Sequence, residues 1–406
     1  MTIKEQPFKA VKITDRVYWV GAIDWTLRDF HGYATQRGST YNAYLVLADK
    51  ITLMDTVKKP YRDEMLSRIA SVIDPSKIDY IVSHHAEMDH SGCLPEIIDI
   101  VRPEKVFASA MGVKALAQQF HHDKNIVAVK DGEQLSLGAM HLTFIETRML
   151  HWPDSMMSYL AEEEMLISQD GFGMHLATTD LFTDQHDQSV IWWEAAKYYA
   201  NILLPFSPLV LTLAERLGKL NLPVKYIATD HGPIWRGDGV GQVVAKYVEW
   251  ATQKPTAKAL VVFDTMWEST ALMARAIAGG LAEAGATPRV LPLNGAHRSD
   301  VATEILDAGA LIAGSSTMNN NVFPSLADVM TYLKGLKPRN LLGAAFGSYG
   351  WSGEAVGHLQ TMLTEMKVAI AAEPVKVQYV PTRDDLMKCR ALGMQVGEAL
   401  GKAAKG

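Results

Sequence analysis

The sequence has 406 residues, of which 48% are hydrophobic and 21% are charged, and its formal net charge is −6. This length predicts two or three domains with sizeable cores. The acidic balance and the lack of a basic tract argue against nucleic acid and anionic membrane surfaces as partners. Two cysteines, Cys93 and Cys389, are too few for a disulfide framework or a cysteine-ligated cluster, which favours a cytoplasmic protein.

The first twenty residues lack the long apolar core of a signal peptide. No run of about 18 apolar residues follows anywhere in the chain. The apolar stretch LLPFSPLVLTLA (203–214) is short and contains two prolines. We therefore expect no membrane-spanning helix.

The first half of the chain opens with short β-rich stretches that predict an antiparallel sheet: RVYWVGAI, YNAYLVLA and ITLMDTV. Helical and strand patterns then alternate as far as VKYIATDHG. A closing helix is predicted for GVGQVVAKYVEWATQ (239–253). Together these patterns predict a layered α/β domain formed by residues 1–253.

The proline-containing stretch KPTAK (254–258) predicts a linker. After it, strand patterns from KALVVFDT (258–265) to VKVQYVP (375–381) alternate strictly with helical patterns. This alternation predicts a second domain, residues 254–406, with a doubly wound parallel sheet.

The most polar stretch of the first domain, SHHAEMDHSG (83–92), directly follows the apolar run IDYIV. Charged groups are rarely buried unless they are paired or bind a metal. On an extended chain His85, Glu87 and Asp89 would point the same way, and a turn could direct Asp89 and His90 to different metals. This stretch therefore predicts part of a metal site.

Three later strand patterns also end in a histidine or a carboxylate: His151, Asp170 and His231. Loops that leave one edge of the sheets of an α/β domain converge, so we expect these groups to meet the first stretch. Four imidazoles and three carboxylates suffice for two metals that share a carboxylate bridge. The lack of a thiolate favours iron or manganese over structural zinc.

This pattern resembles the H-x-H-x-D-H motif of the metallo-β-lactamase superfamily, whose fold is an αββα sandwich. Glu87 stands where the zinc hydrolases carry their second histidine, a change typical of the flavodiiron proteins (A-type flavoproteins). A carboxylate there adds negative charge and a hard oxygen donor, which suits iron. The resemblance implies that one iron is bound by His85, Glu87 and His151, the other by Asp89, His90 and His231, and that Asp170 bridges them.

The resemblance also implies polar donors over the irons, for which His31, His175 and Tyr199 are the candidates. For each of the three, an ordinary role in the core or at the surface stays open. His84 is expected to point away from His85, and Cys93 to be a small buried residue, so neither is included among the ligands.

The second domain opens with VVFDTMWESTALMARAI (261–277), a buried strand followed by a hydroxyl-rich loop and a helix. A helix N-terminus flanked by hydroxyls suits a phosphate monoester. The loop is neither G-x-G-x-x-G nor a Walker A loop, which disfavours a dinucleotide or a nucleoside triphosphate. It resembles the flavodoxin phosphate loop, and its predicted contacts are Thr265, Met266, Trp267, Ser269 and Thr270.

Two more loops, GSSTMNNN (314–321) and FGSYGWSG (346–353), follow later strands of the same predicted sheet. Loops at the carboxyl ends of such strands flank the flavin in flavodoxin-like folds, so the three loops together predict bound FMN. The contacts predicted from the two later loops are Ser315, Thr317, Met318, Asn319, Asn320, Gly347, Ser348, Tyr349, Gly350, Trp351 and Gly353.

The resemblance covers nearly the whole chain and is closest to the rubredoxin-linked oxygen reductases of anaerobic sulfate-reducing bacteria. It implies an oxidoreductase that passes electrons from rubredoxin, or a similar small carrier, through FMN to a non-haem diiron site. There dioxygen is reduced to water, nitric oxide to nitrous oxide, or both. The chain has no C-x-x-C pair, so rubredoxin is expected as a separate protein. The family also implies a head-to-tail homodimer or a dimer of dimers.

Two other interpretations remain open at this point. The first is a dizinc hydrolase of the metallo-β-lactamase fold carrying a flavodoxin-like module, against which Glu87 argues. The second is an electron carrier without enzymatic activity, which would keep its function after Asp170→Ala. The residues do not decide between dioxygen and nitric oxide as the preferred substrate.

Overall fold

The computed structural model describes residues 5–121 and 125–404, which form two compact units. The first unit runs through Tyr198 and from Pro208 to Val248. The second comprises Tyr199–Ser207 and the chain from Glu249 onward. The sequence prediction divided the chain once, after residue 253, and did not assign the segment Tyr199–Ser207 to the second half.

The first unit contains two mixed sheets. Its strands are β1 (Val11–Lys12), β2 (Val17–Trp19), β3 (Ala22–Asp24), β4 (Asp29–Phe30), β5 (Tyr33–Ala34), β6 (Ser39–Tyr41), β7 (Tyr44–Val46), β8 (Thr52–Met54), β9 (Tyr80–Ser83), β10 (Lys105–Ser109), β11 (Ile126–Val129), β12 (Gln134–Ser136), β13 (His141–Glu146), β14 (Met156–Leu160), β15 (Met165–Gln169), β16 (Tyr226–Thr229) and β17 (Trp235–Arg236). The strand orders of these two sheets are β1-β2-β7-β8-β9-β10-β11 and β12-β13-β14-β15-β16-β17, while β3 with β6 and β4 with β5 form two separate antiparallel pairs. The opening strands β1, β2, β7 and β8 pair antiparallel, as predicted.

The helices in this part of the chain are α1 (Arg62–Ala70), α2 (Met88–Ser91), α3 (Leu94–Val101), α4 (Ala110–Phe120), α5 (Gln188–Tyr198), α6 (Ser207–Leu220) and α7 (Asp238–Thr252). One apolar core joins the facing sides of the two sheets, through residues such as Tyr44 and Phe144. A second core packs helices α1, α3 and α4 on the outer side of the first sheet. On the second sheet, the Trp235 ring lies 5.1 Å from that of Trp192 in α5. The predicted αββα sandwich is confirmed.

The second unit contains β18 (Lys258–Phe263), β19 (Thr287–Pro292), β20 (Ala310–Ser316), β21 (Leu342–Tyr349), β22 (Ala369–Ile370) and β23 (Val375–Gln378), with helices α8 (Ser269–Glu283), α9 (Arg298–Ile305), α10 (Pro324–Leu336), α11 (Glu354–Glu365) and α12 (Arg383–Ala403). Its strand order is β19-β18-β20-β21-β22, and β23 also pairs with β21; all pairings are parallel. Strand β19 lies on one side of β18, and the later strands β20 and β21 lie on the other side. In such sheets ligands bind in the crevice where the strand order switches sides, here at the carboxyl ends of β18 and β20. The predicted doubly wound sheet is confirmed.

One helical run, Gln188–Leu220, is long and apolar enough to meet a length-and-composition test for crossing a membrane. The core helices of globular proteins meet the same test. The run is divided into α5, a π-helical turn at Tyr199–Leu203, a 3₁₀ turn at Leu204–Phe206, and α6. Two charged residues of α5, Glu194 and Lys197, are buried and paired with Arg37 at 3.2 Å and Gln36 at 2.7 Å. Helix α5 therefore contributes to the interior of the first unit.

Candidate metal centre and flavin cleft

The polar stretch after β9 forms two different local structures. The chain is extended at Glu87, whose ψ is 144°, and helix α2 begins at the next residue. Asp89 and His90 therefore lie on a helical turn, where neighbouring side chains point about 100° apart. The chain is therefore not extended through Asp89, and Asp89 and His90 turn away from His85 and Glu87 into one common group, not towards different metals as the turn had suggested.

The other three predicted groups lie just beyond strands of the second sheet. His151 follows β13, Asp170 follows β15 and His231 follows β16. After His231 the chain turns through Gly232, whose φ is +76°. A Cβ on Gly232 would lie 2.5 Å from Cγ and 2.7 Å from the carbonyl oxygen of Met174, so glycine is needed there.

The first group of potential ligands consists of His85, Glu87, His151 and Asp170. Oε2 of Glu87 lies 3.2 Å from Nε2 of His85 and 3.3 Å from Nε2 of His151. Oδ2 of Asp170 lies 3.1 Å from Nε2 of His151 and 3.6 Å from Nε2 of His85. These atoms surround one point, as the ligands of one metal ion would.

The second group consists of Asp89, His90 and His231. Oδ2 of Asp89 lies 3.2 Å from Nε2 of His231, and Oδ1 lies 3.5 Å from Nε2 of His90. The other oxygen of Asp170, Oδ1, lies 3.1 Å from Nε2 of His90 and 3.5 Å from Nε2 of His231. Asp170 therefore directs one oxygen to each group, which is the geometry of a bridging carboxylate.

Most of the cluster is buried, and its carboxylates and imidazoles shift one another's pKa values. Burial would lower the pKa of His151, but hydrogen bonds with Asp170 and Glu87 raise that pKa to about 10. Burial likewise raises the pKa of Asp170, yet the charge of His90 and hydrogen bonds from His151 and His90 hold it well below its usual value. Both oxygens of Asp89 are buried and make no hydrogen bond within the described part of the chain. Such carboxylates require cations, and imidazole with carboxylate suits a pair of iron ions.

Groups behind the histidines fix which ring nitrogen faces the cluster. Nδ1 of His231 donates to the carbonyl oxygen of Thr40 at 2.6 Å, and Nδ1 of His85 lies 3.3 Å from Oδ2 of Asp154. Such partners select the tautomer of a ligand histidine and strengthen it as a donor. The sequence analysis did not predict either residue, although Asp154 stands only three positions after His151.

His84 is held away from the cluster. Its Nδ1 lies 2.5 Å from Oδ2 of Asp55, and its Nε2 lies 2.7 Å from Oγ of Ser158. With both ring nitrogens engaged in the core, it belongs to neither group of potential ligands, as expected from its opposite direction to His85. Cys93 is free and buried.

His31 lies at the entrance to the cluster. Its side chain is 77% exposed, and its Nε2 lies 3.5 Å from Oε1 of Glu87. A cleft of about 360 Å³ opens here and is lined by His31, Lys58, Glu87 and Asp89, among others. Solvent thus reaches the edge of the cluster beside Glu87.

His175 lies deeper, beside His231, at a ring distance of 4.6 Å. Its Nδ1 lies 2.8 Å from Oγ of Ser39, and its Nε2 is buried without a hydrogen bond in the described chain. Burial and the charge of His231 hold the pKa of His175 well below its usual value, so the ring is neutral. Two tyrosine rings lie beside it, that of Tyr198 at 5.1 Å and that of Tyr33 at 5.2 Å.

Tyr199, the tyrosine predicted for this position, makes different contacts. Its hydroxyl lies 3.0 Å from Oγ of Ser207, and its ring lies 5.4 Å from that of Trp250. Helix α5 ends at Tyr198, and Tyr199 begins the π-helical turn of the second unit. The structure therefore corrects the prediction for Tyr199, because the tyrosines that pack on His175 are Tyr198 and Tyr33.

The second unit has a cleft of about 570 Å³ at the carboxyl ends of β18, β20 and β21, within the usual size range of cofactor pockets. Trp267 and Trp351 stand at its rim with 89% and 87% of their surface exposed. The predicted residues that line it are Met266, Trp267, Ser269, Thr317, Asn319, Asn320, Ser348, Tyr349, Gly350 and Trp351. It is also lined by Ser316, Ser352, Tyr379 and Val380, which the sequence analysis did not include.

The remaining predicted contacts do not line this cleft: Thr265, Thr270, Ser315, Met318, Gly347 and Gly353. Ser315 and Gly347 lie one position before Ser316 and Ser348, and side chains of successive strand residues point to opposite faces. Ser315 instead accepts a hydrogen bond from the backbone of Phe323 at 2.9 Å. The prediction identified both loops; in the first it included Ser315 in place of Ser316, and in the second it included Ser348, which lines the cleft, together with Gly347, which does not.

The phosphate loop has polar groups below the cleft. Oγ1 of Thr270 lies 3.0 Å from Oγ of Ser316 and 2.9 Å from Oγ of Ser348, so hydroxyls from three elements meet at one point. Oγ1 of Thr265 is buried and has no hydrogen-bond partner in the described residues. A buried hydroxyl near the N-terminus of α8 suits a phosphate oxygen, and these residues therefore fit FMN.

Comparison with known proteins gives a consistent result for both halves. Residues 40–232 match the family described as ODP family beta lactamase, and residues 261–393 match the flavodoxin family. The chain is 47% identical to the rubredoxin-oxygen oxidoreductase of Megalodesulfovibrio gigas, covering 97% of this chain and 98% of that protein. It is 45% identical to the nitric oxide reductase of Moorella thermoacetica, covering 95% and 98%. The crystal structure of the flavodiiron protein from Giardia intestinalis superposes with a TM-score of 0.95 at 32% identity, covering 99% of each chain.

Proposed function

The chain belongs to the flavodiiron proteins, and from that premise we propose that it takes electrons from rubredoxin or a similar small carrier. We propose that these electrons pass through FMN to a diiron site, which reduces dioxygen to water, nitric oxide to nitrous oxide, or both. The relatives' names, rubredoxin-oxygen oxidoreductase and nitric oxide reductase, support this donor and these two gases.

The bridging position of Asp170 carries the proposal. Its two oxygens lie 3.1–3.6 Å from imidazole nitrogens of two separate groups of potential ligands. We propose His85, Glu87 and His151 as ligands of one iron, Asp89, His90 and His231 as ligands of the other, and Asp170 as the bridge. When bound, FMN supplies storage for one or two electrons and the iron pair supplies the position at which the gas is reduced.

The chain's own residues hold the metals, exclude water and supply protons. Reduction of either gas to water or nitrous oxide consumes protons as well as electrons. We propose that protons enter at Nε2 of His31, which is exposed to solvent and lies 3.5 Å from Glu87. Neutral His175 and the neighbouring Tyr198 form the dry side of the pocket, which limits the escape of partly reduced oxygen.

The proposal is tested by steady-state turnover of the iron-loaded protein with reduced rubredoxin as the donor. We expect about four electrons consumed per dioxygen, as complete reduction to water requires, and no peroxide detected with catalase. Hydrogen peroxide as the main product, formed at the same rate without iron, would contradict the proposal.

We also propose a head-to-tail homodimer, or a dimer of dimers, in which the flavin of one subunit serves the iron pair of the other. Exposed apolar side chains surround the flavin cleft, including Trp267, Trp351 and Val380. Exposed Met88 and Trp152 flank metal ligands in the first unit. Clustered exposed apolar residues at two functional sites are typical of surfaces covered by a partner.

Mixing two inactive proteins should restore activity if this arrangement is correct. One partner is Asp170→Ala loaded with FMN, and the other is the unaltered chain with iron and 5-deaza-FMN, which does not transfer single electrons. Random exchange of subunits in a dimer should restore about a quarter of full turnover, because half of the dimers are hybrids with one working pair. Sedimentation measured in parallel shows whether dimers form; no recovery despite exchange would exclude the head-to-tail arrangement.

Thr265→Val should weaken FMN binding and leave riboflavin binding unchanged. The change removes a buried hydroxyl that fits a phosphate oxygen, and a hydrogen bond to a charged group contributes about 2 kcal/mol, or roughly 30-fold in Kd. Quenching of flavin fluorescence measures both affinities, and riboflavin, which lacks the phosphate, is the internal control. Equal weakening of both flavins would show that Thr265 does not contact the phosphate.

The domain division at 253/254 and a cytoplasmic location are part of the same proposal. Both cysteines are free and buried, so neither forms a disulfide within this chain. Free cysteines are typical of proteins in a reducing compartment.

A further inference from the structure

Two buried aspartates bind adjacent histidines in similar ways; each contacts a backbone N–H and the Nδ1 of one histidine ring, and this pair of contacts is called a clamp below. Asp55 accepts a hydrogen bond from the backbone N–H of His84 at 2.7 Å and lies 2.5 Å from Nδ1 of that ring. Oδ2 of Asp154 accepts from the backbone N–H of Ala86 at 2.6 Å and lies 3.3 Å from Nδ1 of His85. The two clamps hold neighbouring residues of the same strand end, but only His85 faces the metal centre.

The contact with Asp154 fixes the direction of His85. Nε2 of this histidine lies 3.2 Å from Glu87 and 3.6 Å from Asp170, so the hydrogen on Nδ1 points towards Asp154. Asp154 is only 2% exposed, and its charge is therefore weakly screened. A carboxylate behind a ligand histidine polarises the ring and makes Nε2 a stronger donor to a metal.

The Nδ1 atoms of His90 and His231, in the second group of potential ligands, have different partners. Nδ1 of His90 lies 3.6 Å from Oδ2 of Asp230, and neither atom makes a hydrogen bond within the described chain. Nδ1 of His231 donates to a neutral acceptor, the carbonyl oxygen of Thr40, at 2.6 Å. Within the described residues, the hydrogen bond between Nδ1 of a ligand histidine and a carboxylate is thus that of His85 with Asp154, in the group formed with Glu87 and His151.

We propose that Asp154 is a positioning residue that selectively tightens the iron held by His85, Glu87 and His151, so that the two metal positions differ in affinity. The inference rests on the ligand set of the proposed function. Asp154 acts through His85 and does not itself contact the metal. Its effect should therefore fall on one iron and not on both.

The experiment compares Asp154→Asn with Asp55→Asn, which makes the same change in the clamp of the non-ligand His84. The amide oxygen that Asp154→Asn introduces can still accept from the backbone N–H of Ala86, so this variant removes mainly the charge behind His85. Each protein is loaded anaerobically with ⁵⁷Fe and titrated with a chelator, while Mössbauer spectra follow the two irons separately. Thermal unfolding of both variants shows whether the fold is retained.

We expect Asp154→Asn to release one iron about 10-fold more readily, at the lower end of the effect of outer carboxylates. The Mössbauer signal of the second iron should be unchanged, and Asp55→Asn should retain both irons. Equal retention by the two variants, loss of both irons together, or the same loss in Asp55→Asn would overturn the inference. Failure of the unaltered chain to bind two irons would instead refute the proposed function, so the two failures are distinguishable.

Discussion

Asp170→Ala should abolish gas reduction while leaving the flavin cleft intact. Among the described residues, Asp170 directs one oxygen at each group of potential ligands, at 3.1 Å from His151 and 3.1 Å from His90. Because loss of a single outer partner already weakens metal binding about 10–100-fold, loss of a shared ligand should reduce iron affinity and turnover roughly 1,000-fold or more. The apolar cores of both units are untouched by this substitution.

The measurements for Asp170→Ala are iron per chain, FMN per chain and dioxygen consumption with reduced rubredoxin. Asp180→Ala is the matched control, since Asp180 also pairs with a histidine, His186 at 2.7 Å, but belongs to neither ligand group. The control should keep its iron and its turnover. An Asp170→Ala protein that still bound two irons and consumed dioxygen normally would refute the bridging role, and it would favour a chain that acts only as an electron carrier.

Glu87→His should shift the metal preference from iron towards zinc and eliminate gas reduction. The substitution restores the H-x-H-x-D-H pattern and replaces an oxygen that lies 3.2 Å from His85 and 3.3 Å from His151. It removes one negative charge and one hard donor, and imidazole suits zinc well. We expect the zinc-to-iron ratio after competitive loading to rise about tenfold or more, equivalent to roughly 1.4 kcal/mol.

Glu87→Gln separates the effect of charge from that of the imidazole, because it keeps the size of the side chain and adds no nitrogen ligand of the histidine type. Elemental analysis after loading with equal zinc and iron gives the ratio for all three proteins. If Glu87→His took up the two metals in the same ratio as the unaltered chain, Glu87 would not be the residue that selects iron. The dizinc interpretation of the sequence would then regain support.

The metal cluster could be located from the sequence because its members follow strand patterns. The ends of strands in a layered α/β domain meet at one edge, so His151, Asp170 and His231 could be placed beside the stretch that follows β9. The assignment of the residues to two irons came from the family resemblance. The structure shows the same two groups, and a third, overlapping group joins Asp170 to His90 and Asp230.

Other parts of the site depend on packing that local sequence does not encode. Tyr198 and Tyr199 are adjacent on a helical run, so their directions differ by about 100°, and only the docking of α5 decides which one meets His175. Asp154 contacts His85 across 69 positions of the chain. No periodicity in the sequence links two such residues, and their pairing became visible only in the fold.

For the flavin cleft, too, the sequence pattern predicted the strands and loops but not which residue of each strand faces the cleft. The alternation of strand and helix patterns in the sequence predicted the doubly wound sheet and its three loops. An error of one residue in strand register exchanged Ser315 for Ser316, since successive side chains point to opposite faces. Tyr379 and Val380 follow β23 at the same edge of the sheet, so the strand-end argument applied to the metal cluster would also have found them.

Electron flow from the flavin to the iron pair is tested most directly by a single turnover of the fully reduced protein, mixed anaerobically with dioxygen or nitric oxide in a stopped-flow instrument. The flavin absorbance is followed in the iron-loaded chain and in the same chain without iron. We expect rapid flavin oxidation with at least one of the two gases only when iron is present, without peroxide release. Flavin oxidation at one common slow rate, with equal peroxide yield with and without iron, would show that the metal centre does not receive the electrons.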